Sequence, residues 1–410
     1  MTASVSGTGA PAGPDEGALR AVVEQLAPIR RLPTSEGERV AARLLAERLR
    51  RLGCEVVVEE VPARGSYAWP IGLLCAAGAA CALIAGRGGR AVGAIGGVLT
   101  AAAIADDISG GARLFRRAVT PRRTAWNVVA RSGDPHAAWT LVILAHHDAA
   151  PSGVAFDQRV QRWVAARFPG VIEAAKASPP LWWPVIAAPL LVAAGSALDH
   201  RGLRRAGLAG ALLAGAAMAD IGRRPAVPGA NDNLSGVAAL AAVGQALRDR
   251  PVAGLRVLLV SAGAEEALQE GIRGFARLHF PRLPQDSTWF LNLDTVGSGR
   301  LVLLEGEGPL RMRDYQGGFK DLVAACAATQ KISVLRGLRS HNSTDGQVPN
   351  RAGYPVATLV SVDDHKLVPH YHLDTDTPGK LDYGSVADAA RLAEAVIDAL
   401  ATQRDPRFRA

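Results

Sequence analysis

Five places in the chain carry side chains that can bind a metal ion or move a proton. The apolar run LVILAHHD ends in His146, His147 and Asp148. Alternation along a strand puts residues 146 and 148 on one face and 147 on the other. A nearby carboxylate can fix the tautomer of a ligand histidine, although a purely structural His–Asp pair would read the same way. The segment PGANDNLSGVAAL sets Asp232 and Asn233 at the entry of an apolar helix. Such residues either cap the helix or present a carboxylate to cations. LRVLLVSAGAEEALQEG runs straight into Glu265 and Glu266. Adjacent carboxylates at a buried strand end are costly unless a metal or proton neutralises them. One can ligate while the other takes a proton from water, although acidic residues also favour a helix start. Asp294 is the single carboxylate of FLNLDTVG, and His370, His372, Asp374 and Asp376 share the loop VPHYHLDTDTP. Histidines with carboxylates and no competing cysteine describe N/O ligation. That suits Zn2+ and, less selectively, other first-row metals.

Most of these groups end apolar runs. Strands are expected at TAWNVVAR, WTLVILAHHD, LRVLLVSAG, STWFLNLDTVG, LVLLEG and YPVATLVS, and helices at SGVAALAAVGQALRD, GIRGFARLH, FKDLVAACAATQ and SVADAARLAEAVIDALAT. The alternation predicts an α/β fold, a mixed but mostly parallel twisted sheet with helices on both faces. In such sheets ligand sites form at the carboxyl ends of strands. Upstream, residues 15–52 read as helical, with Ser35 as an N-cap and Gly53 as a stop, before the strand CEVVVEEVPA.

The 410 residues are 49% hydrophobic and 20% charged, enough for one large domain or two ordinary ones. Cys54, Cys75, Cys81 and Cys326 form no CxxC pair, which argues against thiolate zinc and redox motifs. The net charge of +8 lies largely in arginines beside apolar segments. No nucleic-acid partner is expected from that pattern, and anionic lipid headgroups are a better use of it. The amino terminus lacks the basic and apolar regions of a secretory signal.

Two pairs of uncharged runs stand out: residues 66–86 with 91–105, and 177–198 with 206–219. Each pair reads as an apolar helical hairpin around a short basic turn. Spanning a bilayer takes ~20 apolar residues, so the first member of each pair is long enough and the second is short. Trp69, Trp182 and Trp183 suit an interface, and Gly93/Gly97 suits close helix contact. The expectation is a multi-pass protein of the cell membrane that contacts lipid through these hairpins. Two soluble helical hairpins, buried against each other or at a dimer interface, are the alternative. The turns hold five arginines and the flanks ten basic residues, a bias that favours a cytoplasmic catalytic part. The amphipathic stretch DQRVQRWVAARFPGVIEAAK either lies on a membrane surface or caps a cleft.

Taken in order, the motifs resemble the co-catalytic di-zinc aminopeptidases of peptidase family M28, relatives of aminopeptidase Y and glutamate carboxypeptidase II. The motifs are His146-His147-Asp148, Gly229-Ala230-Asn231-Asp232-Asn233-Leu234-Ser235-Gly236, Glu265-Glu266, Asn292-Leu293-Asp294, and Tyr371-His372 followed by Asp376-Thr377. Ser35-Glu36-Gly37-Glu38-Arg39 and Asn127-Val128-Val129-Ala130 also match, so the likeness covers roughly residues 15–62, 124–150 and 225–403. The resemblance implies a zinc-peptidase domain over 15–403 with insertions at 66–107 and 151–224; residues 1–14 read from their composition as a disordered leader, and 404–410 are left as a tail. It implies two Zn2+ ions per chain bridged by Asp232, with His146 and Asp294 completing one site and Glu266 and His372 the other. Glu265 becomes the general base and later the acid, and Asp148 orients His146. The implied substrate is a peptide whose free α-amine sits on one ion, which makes the activity that of an aminopeptidase. The chain departs from the family at Thr344-Asp345-Gly346, where Ser/Thr-Asp-His is frequent. A glutaminyl-cyclase-like acyltransferase, a carboxypeptidase or dipeptidase, and an inactive receptor-like module are the other readings. The oligomeric state is not legible.

Overall fold

The computed structural model describes residues 14–402. The expected tail and all of the expected leader except Pro14 lie outside them. Helices α1 (Glu16–Leu26) and α2 (Glu36–Arg51) begin at their cap signals: Asp15 accepts from the amides of Gly17 and Ala18, and Ser35 Oγ accepts from Glu38 N at 3.2 Å. Gly53, with φ +82°, ends the run in a left-handed turn that a side chain would oppose.

Eight strands form the main sheet: β1 (Glu55–Ala63), β2 (Arg123–Gly133), β3 (Thr140–His146), β4 (Arg256–Ala262), β5 (Thr288–Leu293), β6 (Arg300–Leu303), β7 (Val334–Leu335) and β8 (Val356–Val362). Their spatial order is β1-β2-β4-β3-β5-β8-β6-β7. The central four, β4-β3-β5-β8, are parallel, and β1, β2 and β6 pair antiparallel at the flanks. The expected mixed, mostly parallel sheet is therefore present. The very short β7 and a three-stranded sheet of two-residue strands around Gly306–Glu307 carry no pattern that a sequence reading could detect.

Four apolar helices interrupt this frame: α3 (Ala68–Gly86), α4 (Arg90–Ile108), α5 (Trp183–Ala197) and α6 (Arg201–Ile221). They pack into one bundle, α3 against α4 and α6, and α5 against α4 and α6. Gly93 and Gly97 lie where α4 meets α5: a Cβ on Gly97 would come within 2.6 Å of the Pro189 carbonyl. The expected lengths need correction. The second helix of the first hairpin has 19 residues, not a short span, whereas α5, from the long run 177–198, has only 15. Pro179 and Pro180 keep residues 177–182 out of the helix, because proline lacks the N–H and clashes with a preceding turn.

The remaining long helices, α7 (Ser235–Asp249), α8 (Glu270–His279), α9 (Gly317–Thr329) and α10 (Tyr383–Thr402), cover the two faces of the sheet. Strand alternation sorts the core. Leu141, Ile143 and Ala145 of β3 join α1, α2, α7 and α10 on one face, while Val142 and Leu144 meet Ile272 and Phe275 of α8 on the other. The parallel strands are thus buried on both sides, and their carboxyl ends are left for chemistry.

Candidate active site

At that carboxyl edge the expected site residues leave strands or enter a helix, except His372, which comes from the loop after β8. His146 is the last residue of β3, and its Nε2 lies 3.3 Å from Asp232 Oδ1. Asp232 sits in the turn between Gly229, with φ +57°, and α7. A Cβ on Gly229 would fall 2.6 Å from the Asp232 carbonyl, so a side chain there would push this turn apart. The other Asp232 oxygen is 3.2 Å from His372 Nε2, which is 3.2 Å from Glu266 Oε2. Asp294 follows β5, is 8% exposed, and lines the same cavity as His146, Asp232, Glu265, Glu266 and His372. All of the expected site residues are brought together, Asp148 from directly behind His146.

Asp148 does more than the sequence indicated. Its Oδ1 is 3.4 Å from His146 Nδ1, and its two oxygens accept from the amides of Glu265 and Glu266, both at 3.0 Å. One buried carboxylate therefore places the adjacent acidic pair. Asn127 secures the start of the same loop, accepting from Gly263 N at 3.1 Å and donating to Gly271 O at 2.9 Å. Asn233 ties the Asp232 turn to the Asp294 loop, donating to Leu293 O and accepting from Thr295 N at 3.0 Å.

Several supporting residues escaped the sequence reading. Asp376 was noted only as part of a motif, yet it accepts from the amides of Asn231 and Asp232 at 2.8 and 3.1 Å. Arg31, fully buried, donates to the carbonyls of His147 and Pro228, both at 2.8 Å, and so joins the β3 end to the Asp232 turn. Burial pulls its guanidinium down to about 10. Asp345, 1% exposed, has both oxygens buried without a hydrogen-bond partner and feels the charges of His146 and Asp294. Its one sequence signal was the departure at Thr344-Asp345-Gly346. His147 points the other way, toward Ser261 Oγ at 2.9 Å, as alternation required. His370 bonds Thr375 instead and stays outside the cluster.

Burial dominates the electrostatics. It holds the carboxyls of Glu265, Glu266 and Asp345 above their ordinary range and Asp294 at about 7. Burial would raise Asp232 too, but the adjoining imidazoles of His146 and His372 outweigh it and bring that group down. An excess of carboxylates in a dry site is what a cation would relieve. The donor set fits one. His146, Asp232 and Glu266 each offer a ligand atom, all within 4.8 Å of one another. The Nδ1 of His146, Oε1 of Glu266 and both ring nitrogens of His372 are buried without hydrogen-bond geometry. The 3.2–3.3 Å separations exceed the ~2.9 Å usual for N–H···O. They match two ligands each ~2.1 Å from one tetrahedral ion. Nitrogen and carboxylate donors of this kind are those of a zinc site.

A cavity of about 610 Å3 opens over these groups. The amphipathic stretch roofs it instead of forming one surface helix. It breaks at Phe168-Pro169 into two short helices, Arg159–Arg167 and Pro169–Ala174, tied down by Arg162–Asp363 at 3.2 Å and by Lys366 Nζ on Glu173 O at 2.9 Å. Phe156 places its ring 4.4 Å from that of His372. A second, mostly apolar cavity of about 340 Å3 leads from Glu266 and His372 between α5 and α6, past Val185, Ala214 and Leu213.

The sequence profile of Peptidase family M28 matches residues 192–397. No curated protein matches the chain. Among solved structures, it is similar to an aminopeptidase from Aneurinibacillus sp. strain AM-1, at 13% identity and TM-score 0.53 over 95% of this chain and 94% of that one. A Zn-dependent exopeptidase from Parabacteroides distasonis gives 13% identity and TM-score 0.54 over 96% and 100%. A glutaminyl cyclase from an Acidobacteriales bacterium gives 14% and 0.56 over 98% and 99%. These likenesses describe the fold. With half of its length matched by the profile, the chain belongs to peptidase family M28.

Proposed function

We propose that the protein is a membrane-associated di-zinc aminopeptidase that releases the N-terminal residue of a peptide. The observation that carries this reading is the convergence of His146, Asp232, Glu265, Glu266, Asp294 and His372 on one cavity. In it, Asp232 would be shared between two Zn2+ sites, with His146 and Asp294 completing one and Glu266 and His372 the other. When bound, the ions polarise the peptide carbonyl and make water more acidic. Glu265 takes the proton from the attacking water and returns it to the leaving amine. Burial, which keeps its carboxyl raised, matches that two-way role, and Gln269 Nε2 holds its Oε1 at 2.9 Å. Asp148 keeps His146 and the Glu265–Glu266 amides in register.

The charges lining the cavity favour recognition of an amine over a carboxylate. The charge-bearing groups at its inner end are the carboxylates Asp232, Glu265, Glu266 and Asp294 with His146 and His372. Arg339 and Lys366, at the rim, are engaged by Asp314 and by backbone carbonyls. Membrane association is supported by the bundle. Two helices, α3 and α4, are long and apolar enough to cross a membrane. Ile95, Leu99 and Leu213 point outward at 62, 64 and 73% exposure, a poor surface for water. The arginine bias of the flanks supports a cytoplasmic catalytic side.

The test is hydrolysis by the full chain with Zn2+ added. Release of the first residue from an unblocked peptide, and none from its acetylated form, is expected. Ammonia release from an N-terminal glutamine without chain cleavage would make the protein a glutaminyl-cyclase-like acyltransferase, the reading that the glutaminyl cyclase fold supports. Release from the other end would make it a carboxypeptidase, and no turnover at all a receptor-like module.

A further inference from the structure

Away from the active site, seven arginines surround one cavity of about 290 Å3 at the foot of the bundle: Arg64, Arg113, Arg116, Arg117, Arg122, Arg273 and Arg277. Glu270 is the one carboxylate lining it, and it pairs with Arg113. Asp107 pairs with Arg116 at 2.6 Å. Arg64, Arg273 and Arg277 donate to carbonyls, of Thr120, of Gly110 at 2.6 Å and of Pro62 at 3.3 Å, and form no ion pair among the described residues, although Arg273 also feels the charge of Glu270. Arg117 and Arg122 are exposed and engage no other side chain among the described residues.

Such an arrangement does not stabilise the fold by itself. Like charges in a partly buried space repel. Arg113 is 3% exposed, and its Nε, like that of Arg273, is buried without a hydrogen-bond partner. Burial, with Arg273 and Arg116 nearby, pulls the Arg113 guanidinium down to about 9. The Arg113 backbone has φ +55°, an uncommon conformation for a residue with a side chain. Converging guanidinium forks with spare donors are complementary to the oxygens of a phosphate.

The position adds a second argument. Arg113 follows the end of α4 at Ile108, and Arg64 precedes the start of α3 at Ala68. If α3 and α4 cross a bilayer, the cavity stands at the level of the headgroups. Its wall also reaches the catalytic loop. Arg116 Nη1 donates to Ala267 O at 2.6 Å and Arg113 to Leu268 O, directly after Glu266.

We propose that this cavity binds a phosphate group, carried by an anionic phospholipid or free in solution, and that its occupancy steadies the loop bearing Glu265 and Glu266. The binding half stands on the arginines alone. The loop half rests on the peptidase reading.

The experiment uses the full-length, metal-loaded chain, wild type and R117Q/R122Q, with R248Q as a charge control on α7. Tm is followed against inorganic phosphate in detergent, and Tm with kcat/KM is compared between nanodiscs of phosphatidylcholine alone and with phosphatidylglycerol. A ligand that binds only the folded state raises Tm. The proposal expects that rise in wild type and R248Q, with affinity roughly tenfold weaker for each arginine removed. A rise with inorganic phosphate assigns a free-phosphate site. A rise confined to phosphatidylglycerol assigns a headgroup site. A kcat/KM that climbs with Tm supports the coupling, and one that stays flat removes it. No rise with either probe, or an equal rise in R117Q/R122Q, overturns the site. A rise in Tm without hydrolysis of any peptide would count against the peptidase reading and leave the site standing.

Discussion

Glu265 is a carboxylate fixed on three sides. Its amide is bound by Asp148, its Oε1 by Gln269, and its own burial opposes ionisation. Glu265→Gln keeps the shape and removes the proton acceptor. Peptide hydrolysis by that variant is expected to fall by ~10²–10⁴ in kcat while metal content stays unchanged, measured by initial rates beside elemental analysis. Glu305 gives a pH test away from the site. Burial alone would raise it, but hydrogen bonds from Arg336 and Lys320 outweigh burial and bring it to about 2. A carboxyl depressed in the folded state stabilises above its ordinary range, and that contribution fades as pH falls toward the folded value. The gap in denaturation midpoint between wild type and Glu305→Gln should therefore narrow from about pH 7 to about pH 3. At this scale the sequence was readable where chemistry and chain position coincide. His146, Glu265, Glu266 and Asp294 each terminate an apolar run. Arg31 and Asp376 act on backbone more than a hundred residues away, at His147 and Asn231, and a contact of that kind leaves no mark on local spacing.

Between elements, the close approach of α8 to the catalytic loop is the sensitive point. A Cβ on Gly271 would lie 1.9 Å from the Gly263 carbonyl, two residues before Glu265. Gly271→Ala must move backbone, not a flexible side chain. It should cost ~1–3 kcal/mol of stability by denaturant titration and lower kcat with it. The periodicities located α7, α10 and the four central strands, because a strand buried on both faces and a helix with one apolar stripe both write their burial into the sequence. Charge-free length was a poorer guide to the hairpins. It counted Pro179 and Pro180 into α5 and cut α4 off at Asp106, although that helix continues through Asp107, whose carboxylate Arg116 neutralises.

As a whole, the molecule joins a doubly covered sheet to a bundle that exposes large apolar side chains, Leu73, Leu83, Ile95, Leu99 and Leu213 among them. Hydrophobic residues all round a helix group are stable in lipid or against a partner, and costly in water. Membranes from cells expressing the chain should retain it through high salt and carbonate washing and release it to detergent; release by salt alone would contradict membrane insertion. The cavity that leads from His372 between α5 and α6 toward exposed Leu213 would then open beside hydrocarbon. All of this presupposes that the clustered histidines and carboxylates share cations. Elemental analysis of the purified full chain, equilibrated with Zn2+ and freed of excess, tests it most directly. Two ions per chain are predicted, falling in Asp232→Asn, whereas a wild-type protein that retains none would contradict the account.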